Sequence, residues 1–128
     1  MKIEHIGLWV KDLEKMKEFY NRYFDSVSTD LYHNQTTGFR SYFLSFESGC
    51  RLELMNKASL SEQAADVFGY AHIAITIGDK QAVDDKVAQL TADGYLLLNG
   101  PRTTGDGYYE AVIQDPEGNL IELMADYE

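Results

Sequence analysis

Two stretches of the chain alternate with the period of a β-strand: Ile6, Leu8 and Val10 interleave with His5, Gly7 and Trp9, and Ile73, Ile75 and Ile77 interleave with His72, Ala74 and Thr76. Residues two apart share a face of a strand, so each stretch has an aliphatic side and a side that begins with a histidine. An aspartate follows each stretch, Asp12 or Asp79, and then apolar residues at helical spacing: Leu13, Met16, Tyr20 and Tyr23, or Val83, Val87 and Leu90. Such an aspartate can accept hydrogen bonds from the free N–H groups of a first helical turn. Gly94 suits the position just past the end of the second helix.

Three strand-like runs follow each helix. They fall near 27–33, 39–46 and 51–56 in the first half, with TTG (36–38) between the first two, and near 95–99, 108–114 and 120–125 in the second. DPEG (115–118) has proline and glycine where a type I turn favours them. The chain therefore reads as two copies of a βαβββ unit. The predicted class is α+β, a curved and mostly antiparallel sheet with helices on its outer face. Residues 1–56 form the first module and 70–128 the second, within one compact domain. The polar stretch 57–69 is the linker, with room for a short helical turn.

The last strands of the two halves read RLELM (51–55) and LIELM (120–124). Leu52 and Leu54 oppose Glu53 by parity, and Ile121 and Leu123 oppose Glu122. Each half thus offers one histidine and one glutamate on the face away from its helix. A lone histidine or glutamate in mid-strand is ordinarily a solvated side chain. Here both types recur, 48 residues apart in one half and 50 in the other, beside the apolar neighbours Trp9, Ala74, Met55, Leu120 and Met124. Partly buried carboxylates among such neighbours need a counter-charge. One divalent cation would satisfy His5, Glu53, His72 and Glu122 together. Two imidazoles and two carboxylates suit borderline ions, with nickel, zinc and cobalt foremost, and suit calcium or copper(I) poorly. With no thiolate in the set, the site reads as open and catalytic rather than closed and structural.

Composition narrows the setting. A net charge of −10 weighs against nucleic acid as a partner, and no apolar run reaches the ~20 residues of a membrane span. The first residues carry charges at Lys2, Glu4, Lys11 and Asp12, and Cys50 is the sole cysteine. The expectation is a cytoplasmic protein without a secretory leader or an intramolecular disulfide.

The paired βαβββ units, the H-I-x-[LI] strand starts, the D-P-E-G-N turn and the final I-E-L strand resemble the vicinal oxygen chelate superfamily (glyoxalase, bleomycin resistance, dioxygenase) over essentially the whole chain. The order His5, Glu53, His72, Glu122 is similar to that of short bacterial glyoxalase I (lactoylglutathione lyase) enzymes. The resemblance implies one divalent metal per site and a small-molecule substrate, the thiol adduct of a 2-oxoaldehyde such as methylglyoxal. It implies isomerisation through an enediolate, with Glu122 as the base and Glu53 as the opposing carboxylate. It also implies a homodimer whose sites lie between modules of different subunits.

Where such enzymes carry an arginine four residues after the first ligand, to hold a glutathione carboxylate, this chain has Trp9. Lys57 fills the place of their usual asparagine. A thiol other than glutathione is therefore within the expectation. The substrate-binding candidates are Trp9, Arg51 and Met55 on the first half's open face, with Arg102 in the Gly-rich stretch 99–109 and Tyr109 at its end. Two further readings stay open: another enzyme of the superfamily, an epimerase or a thiol transferase, and a non-catalytic drug-binding protein. The complete set of two histidines and two glutamates argues against the last.

Overall fold

The structure, a computed structural model, describes residues 1–62 and 68–126. The chain divides into two compact units, residues 1–64 and 65–128. The first holds β1 (His5–Trp9), α1 (Leu13–Phe24), β2 (Val27–Ser28), β3 (Tyr32–His33), β4 (Arg40–Ser45) and β5 (Arg51–Asn56). The second holds β6 (His72–Gly78), α2 (Lys80–Ala92), β7 (Leu97–Thr103), β8 (Tyr109–Gln114) and β9 (Leu120–Ala125). Each is a βαβββ module with its own sheet, ordered β1-β5-β4-β2, with β3 also on β4, in the first and β6-β9-β8-β7 in the second.

In both sheets the first strand pairs in parallel with the last, β1 with β5 and β6 with β9, and the remaining pairings are antiparallel. A parallel partner needs a crossover, and the helix that supplies it covers one face of the sheet. That face is the core. Met16, Tyr20, Leu44 and Leu54 are fully buried in the first unit, and Val83, Leu90, Ile113, Ile121 and Leu123 in the second.

Both aspartates cap as the sequence leads one to expect. Asp12 accepts from the Lys15 N–H at 3.0 Å and Asp79 from the Ala82 N–H at 2.8 Å. The second helix ends at Gly94 with φ +93°, and the Tyr95 N–H reaches back to the Leu90 carbonyl at 2.9 Å, the closing bond of a Schellman motif. Each helix is also tied to its sheet by a tyrosine that donates to a helix carboxylate, Tyr42 to Glu14 and Tyr109 to Asp84, both at 2.5 Å. Sharing that hydrogen bond holds the Glu14 carboxyl below its ordinary range and lifts both phenols above theirs.

Two expected strands differ in detail. The run at 27–33 is broken into β2 and β3, and the run at 95–99 becomes Leu97–Thr103, with register shifts on both sides of Asn99. The expected turn at 115–118 is present: the Gly118 N–H bonds the Asp115 carbonyl at 3.0 Å. The buried Asp115 carboxylate also accepts from the backbone of Glu117 and Asn119. Within the expected linker, 57–62 contain neither helix nor strand, and 63–67 lie outside the described residues. No helix among the described residues is long and apolar enough to cross a membrane.

Gly94 and Gly100 are both left-handed, but a Cβ at Gly94 would meet open space, whereas at Gly100 (φ +79°) it would sit 2.5 Å from the Glu110 carbonyl oxygen. Gly94→Ala should cost about 1–2 kcal/mol, the strain of a left-handed non-glycine. Gly100→Ala should cost at least about 1 kcal/mol more, because a sheet backbone cannot step aside. Urea unfolding of the two variants side by side measures the difference, and equal midpoints would refute the close approach.

Candidate functional site

Alternation places the chemistry. In β5, Leu52 and Leu54 turn into the core while Arg51, Glu53 and Met55 point to the face without a helix. In β9, Ile121 and Leu123 turn inward, and Leu120, Glu122 and Met124 outward. The parallel pairing then sets Glu53 opposite Gly7 and Glu122 opposite Ala74. In each half the histidine lies two residues before that small partner, so it meets the glutamate on the diagonal. His5 Nε2 stands 3.7 Å from Glu53 Oε1, and His72 Nε2 stands 3.1 Å from Glu122 Oε2. The unequal sequence separations are absorbed in the loops, and the local register is the same.

Exposure divides the partners alike in both halves. The imidazoles are 41 % and 44 % exposed, the carboxylates 14 % and 17 %. The glutamates therefore sit down on the sheet, and the ring nitrogens rise beside them. An imidazole nitrogen and a carboxylate oxygen side by side form a bidentate N/O donor pair. Among the described residues, neither half by itself gathers three side chains able to hold a metal ion. Each half presents two.

The surroundings of the two pairs differ. In the first half, His5 packs edge-on against Phe43 with ring centres 5.2 Å apart, and its Nδ1 lies 3.4 Å from Glu4. Arg51, on the same face, donates to Glu4 and lies over the Phe43 ring at 4.1 Å. Its charge is thus engaged by Glu4, which it holds below the ordinary carboxylate range, and not by Glu53. Met55 lies over Gly7, where an added Cβ would fall 2.8 Å from its methyl group. Trp9 extends the face beyond Met55, its register partner.

In the second half the neighbour is another carboxyl. Glu110 of β8 lies on Glu122's face, since Val112 is the register partner of Glu122 and Glu110 that of Met124. The Glu122 carboxyl pushes Glu110 up from 4.5 to about 7. Hydrogen bonding with Glu122 is the main cause; Arg102, the register partner of Glu110 on β7, pulls the other way. Glu110 is absent from the residues singled out by sequence. The signal was available in strand parity, because 110 shares a face with Gln114 while Ala111 and Ile113 are buried.

Parity also relocates Tyr109. The sequence reading takes it as a substrate contact, but it lies on the helix side, bonded to Asp84 with Lys80 over its ring at 5.7 Å. There it lines a cavity of about 280 Å³ with Asp79, Lys80, Gly107, Tyr108, Ala125 and Asp126, none of which is one of the four proposed ligands. Trp9, Arg51 and Met55 are brought together on one face, and Arg102 joins the Glu110–Glu122 row. His33 is exposed and contacts Gln35, and Cys50 is a free thiol.

The donor set suits a divalent cation. Each half offers one neutral nitrogen and one anionic oxygen, and the second half crowds two carboxyls together, a repulsion that a cation would relieve.

The model of the Glyoxalase/Bleomycin resistance protein/Dioxygenase superfamily matches residues 2–123. The uncharacterized protein YqjT of Bacillus subtilis is 27 % identical over 136 residues, which span 96 % of this chain and 98 % of that one. Among solved structures, the trypanothione-dependent glyoxalase I of Leishmania major superposes with a TM-score of 0.79 at 23 % identity, covering 98 % of this chain and 86 % of that one. FosX, a fosfomycin resistance protein of Listeria monocytogenes solved with Mn(II) and sulfate, gives 0.73 at 24 %, over 98 % and 92 %.

A raised carboxyl pKa has a definite sign. The folded chain holds that proton more tightly than the unfolded chain, so the stabilisation is complete below 4.5 and is lost as pH rises through about 7. In metal-free protein the Glu110 carboxyl should titrate near 7 by NMR of labelled glutamate, and Glu122→Gln should return it toward 4.5. An ordinary titration with Glu122 intact would show that Glu122 does not raise it.

Proposed function

The chain belongs to the Glyoxalase/Bleomycin resistance protein/Dioxygenase superfamily, and from that premise we propose that it is a metal-dependent lyase of the glyoxalase I type. The substrate is the thiohemiacetal of a 2-oxoaldehyde such as methylglyoxal, and the product is the 2-hydroxyacyl thioester. One observation carries the reading: a His–Glu pair on the helix-free face of each module, in the same register, with N–O separations of 3.7 and 3.1 Å.

His5 and Glu53 with His72 and Glu122 would hold one divalent cation, nickel, zinc or cobalt before others, in a homodimer carrying one such cation per site. When bound, the cation acidifies the C–H beside the carbonyl and stabilises the enediolate charge. The chain's own groups move the protons. Glu122 takes the C–H proton from the thiohemiacetal carbon and returns it to the neighbouring carbon. A second proton passes from the first oxygen to the second, so the reaction is an isomerisation with no oxidant, reductant or water consumed.

The choice of Glu122 over Glu53 as the base is supported by its neighbour. Glu110 lies on Glu122's face and is pushed up to about 7 mainly by that carboxyl, so a second carboxyl stands beside Glu122. Glu53 is flanked by Phe43 and Gly7 in register and has no such partner there.

Metal analysis of the purified protein, followed by assays with methylglyoxal plus glutathione or other low-molecular-weight thiols, tests the proposal. His5→Ala and His72→Ala should each abolish tight metal binding. Glu122→Gln should retain most of the metal yet lower kcat by roughly 10²- to 10⁴-fold, the worth of a positioned proton-transfer group. Stoichiometric metal without isomerisation of any thiohemiacetal would move the protein to another reaction of the superfamily, epimerisation or thiol transfer. Absence of metal affinity, with both histidine variants like wild type, would leave a non-catalytic binding protein.

A further inference from the structure

The first module's open face continues past the His5–Glu53 pair into a cluster of rings. Trp9 meets Phe39 edge-on with ring centres 6.2 Å apart, and Phe39 meets Tyr32 at 6.1 Å. Trp9 is 44 % exposed and Tyr32 is exposed as well, although aromatic surface of this extent is what a folded chain ordinarily buries. A charged group stands against the cluster: the Lys57 ammonium lies over the Trp9 ring at 4.7 Å. Lys57 follows Glu53 and Met55 by two-residue steps on β5 and its extension, and so shares their face. Asn56 turns to the other side, donating to the Val10 and Lys11 carbonyls and accepting from Arg40. That bonding clamps the end of β5 to the end of β1 and fixes the direction in which Lys57 leaves.

The face is thus graded along the strands. His5 lies at one end of β1 and Trp9 at the other, four residues and roughly 13 Å apart at ~3.3 Å per residue. Between them Gly7 contributes no side chain, and Met55 lies flat over it. A ligand could extend along this floor with its reacting end at the His–Glu pair and its remote end among the rings. The protein carries a net charge of −10, so a cation set against aromatic faces is a local reversal of sign. Arg51 does not contribute to it, because Glu4 already engages that guanidinium.

We propose that Trp9, Phe39, Tyr32 and Lys57 bind the remote end of the substrate, and that this end is an aromatic ring bearing a carboxylate. The proposal rests on the lyase reading only for the placing of the reacting end, and binding at the rings can be measured without turnover. Ring-on-ring contact accounts for the aryl part, and the Lys57 ammonium for the anion. A small aliphatic acid would engage only the charge, and a neutral aryl alcohol only the rings.

Trp9 is the single tryptophan in the sequence, so emission excited at the red edge of the absorption band, where the nine tyrosines absorb little, reports this cluster. Phenylacetate, acetate and benzyl alcohol are titrated into metal-free and metal-loaded full-length protein. Phenylacetate should give a saturable change in emission at concentrations where the other two give none. Lys57→Met should weaken it by roughly fivefold or more while leaving thermal unfolding and metal content unchanged. Phe39→Leu should weaken phenylacetate and benzyl alcohol alike. Phenylacetate binding no better than acetate or benzyl alcohol, or insensitivity to Lys57→Met, overturns the proposal. So does a Trp9→Ala protein whose mass by light scattering is halved, since the rings would then be a contact between copies of the chain. Failed isomerisation with intact phenylacetate binding would remove the lyase reading and leave this one, and the converse result would do the opposite.

Discussion

Everything at the candidate site depends on the closing of each module by a parallel strand pair. Side chains along a strand alternate between faces, so a displacement of one residue would carry Glu53 or Glu122 into the core and a leucine out to solvent. The parallel pairing of β1 with β5 and of β6 with β9 fixes more than the face. It sets a residue with little or no side chain, Gly7 or Ala74, directly opposite the glutamate, and the histidine one step away on the diagonal. A larger residue at Gly7 would meet the Met55 methyl group, 2.8 Å from where its Cβ would stand. Helix packing on the far side enforces the register, since Leu52, Leu54, Ile121 and Leu123 are almost completely buried.

A duplicated frame need not give duplicated chemistry. The first module surrounds its His–Glu pair with Phe43, Met55 and Trp9, whereas the second surrounds its pair with Glu110 and Arg102. The cost of ionising a carboxyl depends on such neighbours. Beside Glu122, a second carboxyl holds its own proton up to about pH 7, and opposite Glu53 stands Phe43. The difference between the two halves lies in the residues around the His–Glu pairs and not in the pairs.

Much of this was legible from the sequence. Period-two runs, two capping aspartates and the DPEG turn are local signals, and they located both helices and the strands β4, β5, β8 and β9 to within a residue or two. The strand near 27–33 was not located as well, because its pairing with β4 is limited to two short contacts that no alternation in 27–33 announces. The position of β7 is set by its partner rather than by propensity: Gly100 and Pro101 read as a loop, yet β8 pairs with Asn99 before them and Arg102 after them across a register shift. The Gly-rich stretch before Tyr109 reads as a binding loop, whereas its parity with Ala111 and Ile113 turns it toward the helix, where it bonds Asp84. Glu110 and Phe39 are distant in sequence from the residues they meet, and only the register of neighbouring strands brings them there.

The same fold is shared with proteins as different as a trypanothione-dependent glyoxalase I and a fosfomycin resistance protein, at 23 % and 24 % identity. What can differ without disturbing the fold is the open face, because its residues support no core packing. On β1, positions 5, 7 and 9 face outward, and positions 6, 8 and 10 hold the sheet to its helix. Exchanging the residue at position 9 therefore has small consequences for folding, because Trp9 is 44 % exposed and faces away from the helix. Outward positions of these strands are free to vary while the inward positions are committed to the core, and Trp9 is an outward position.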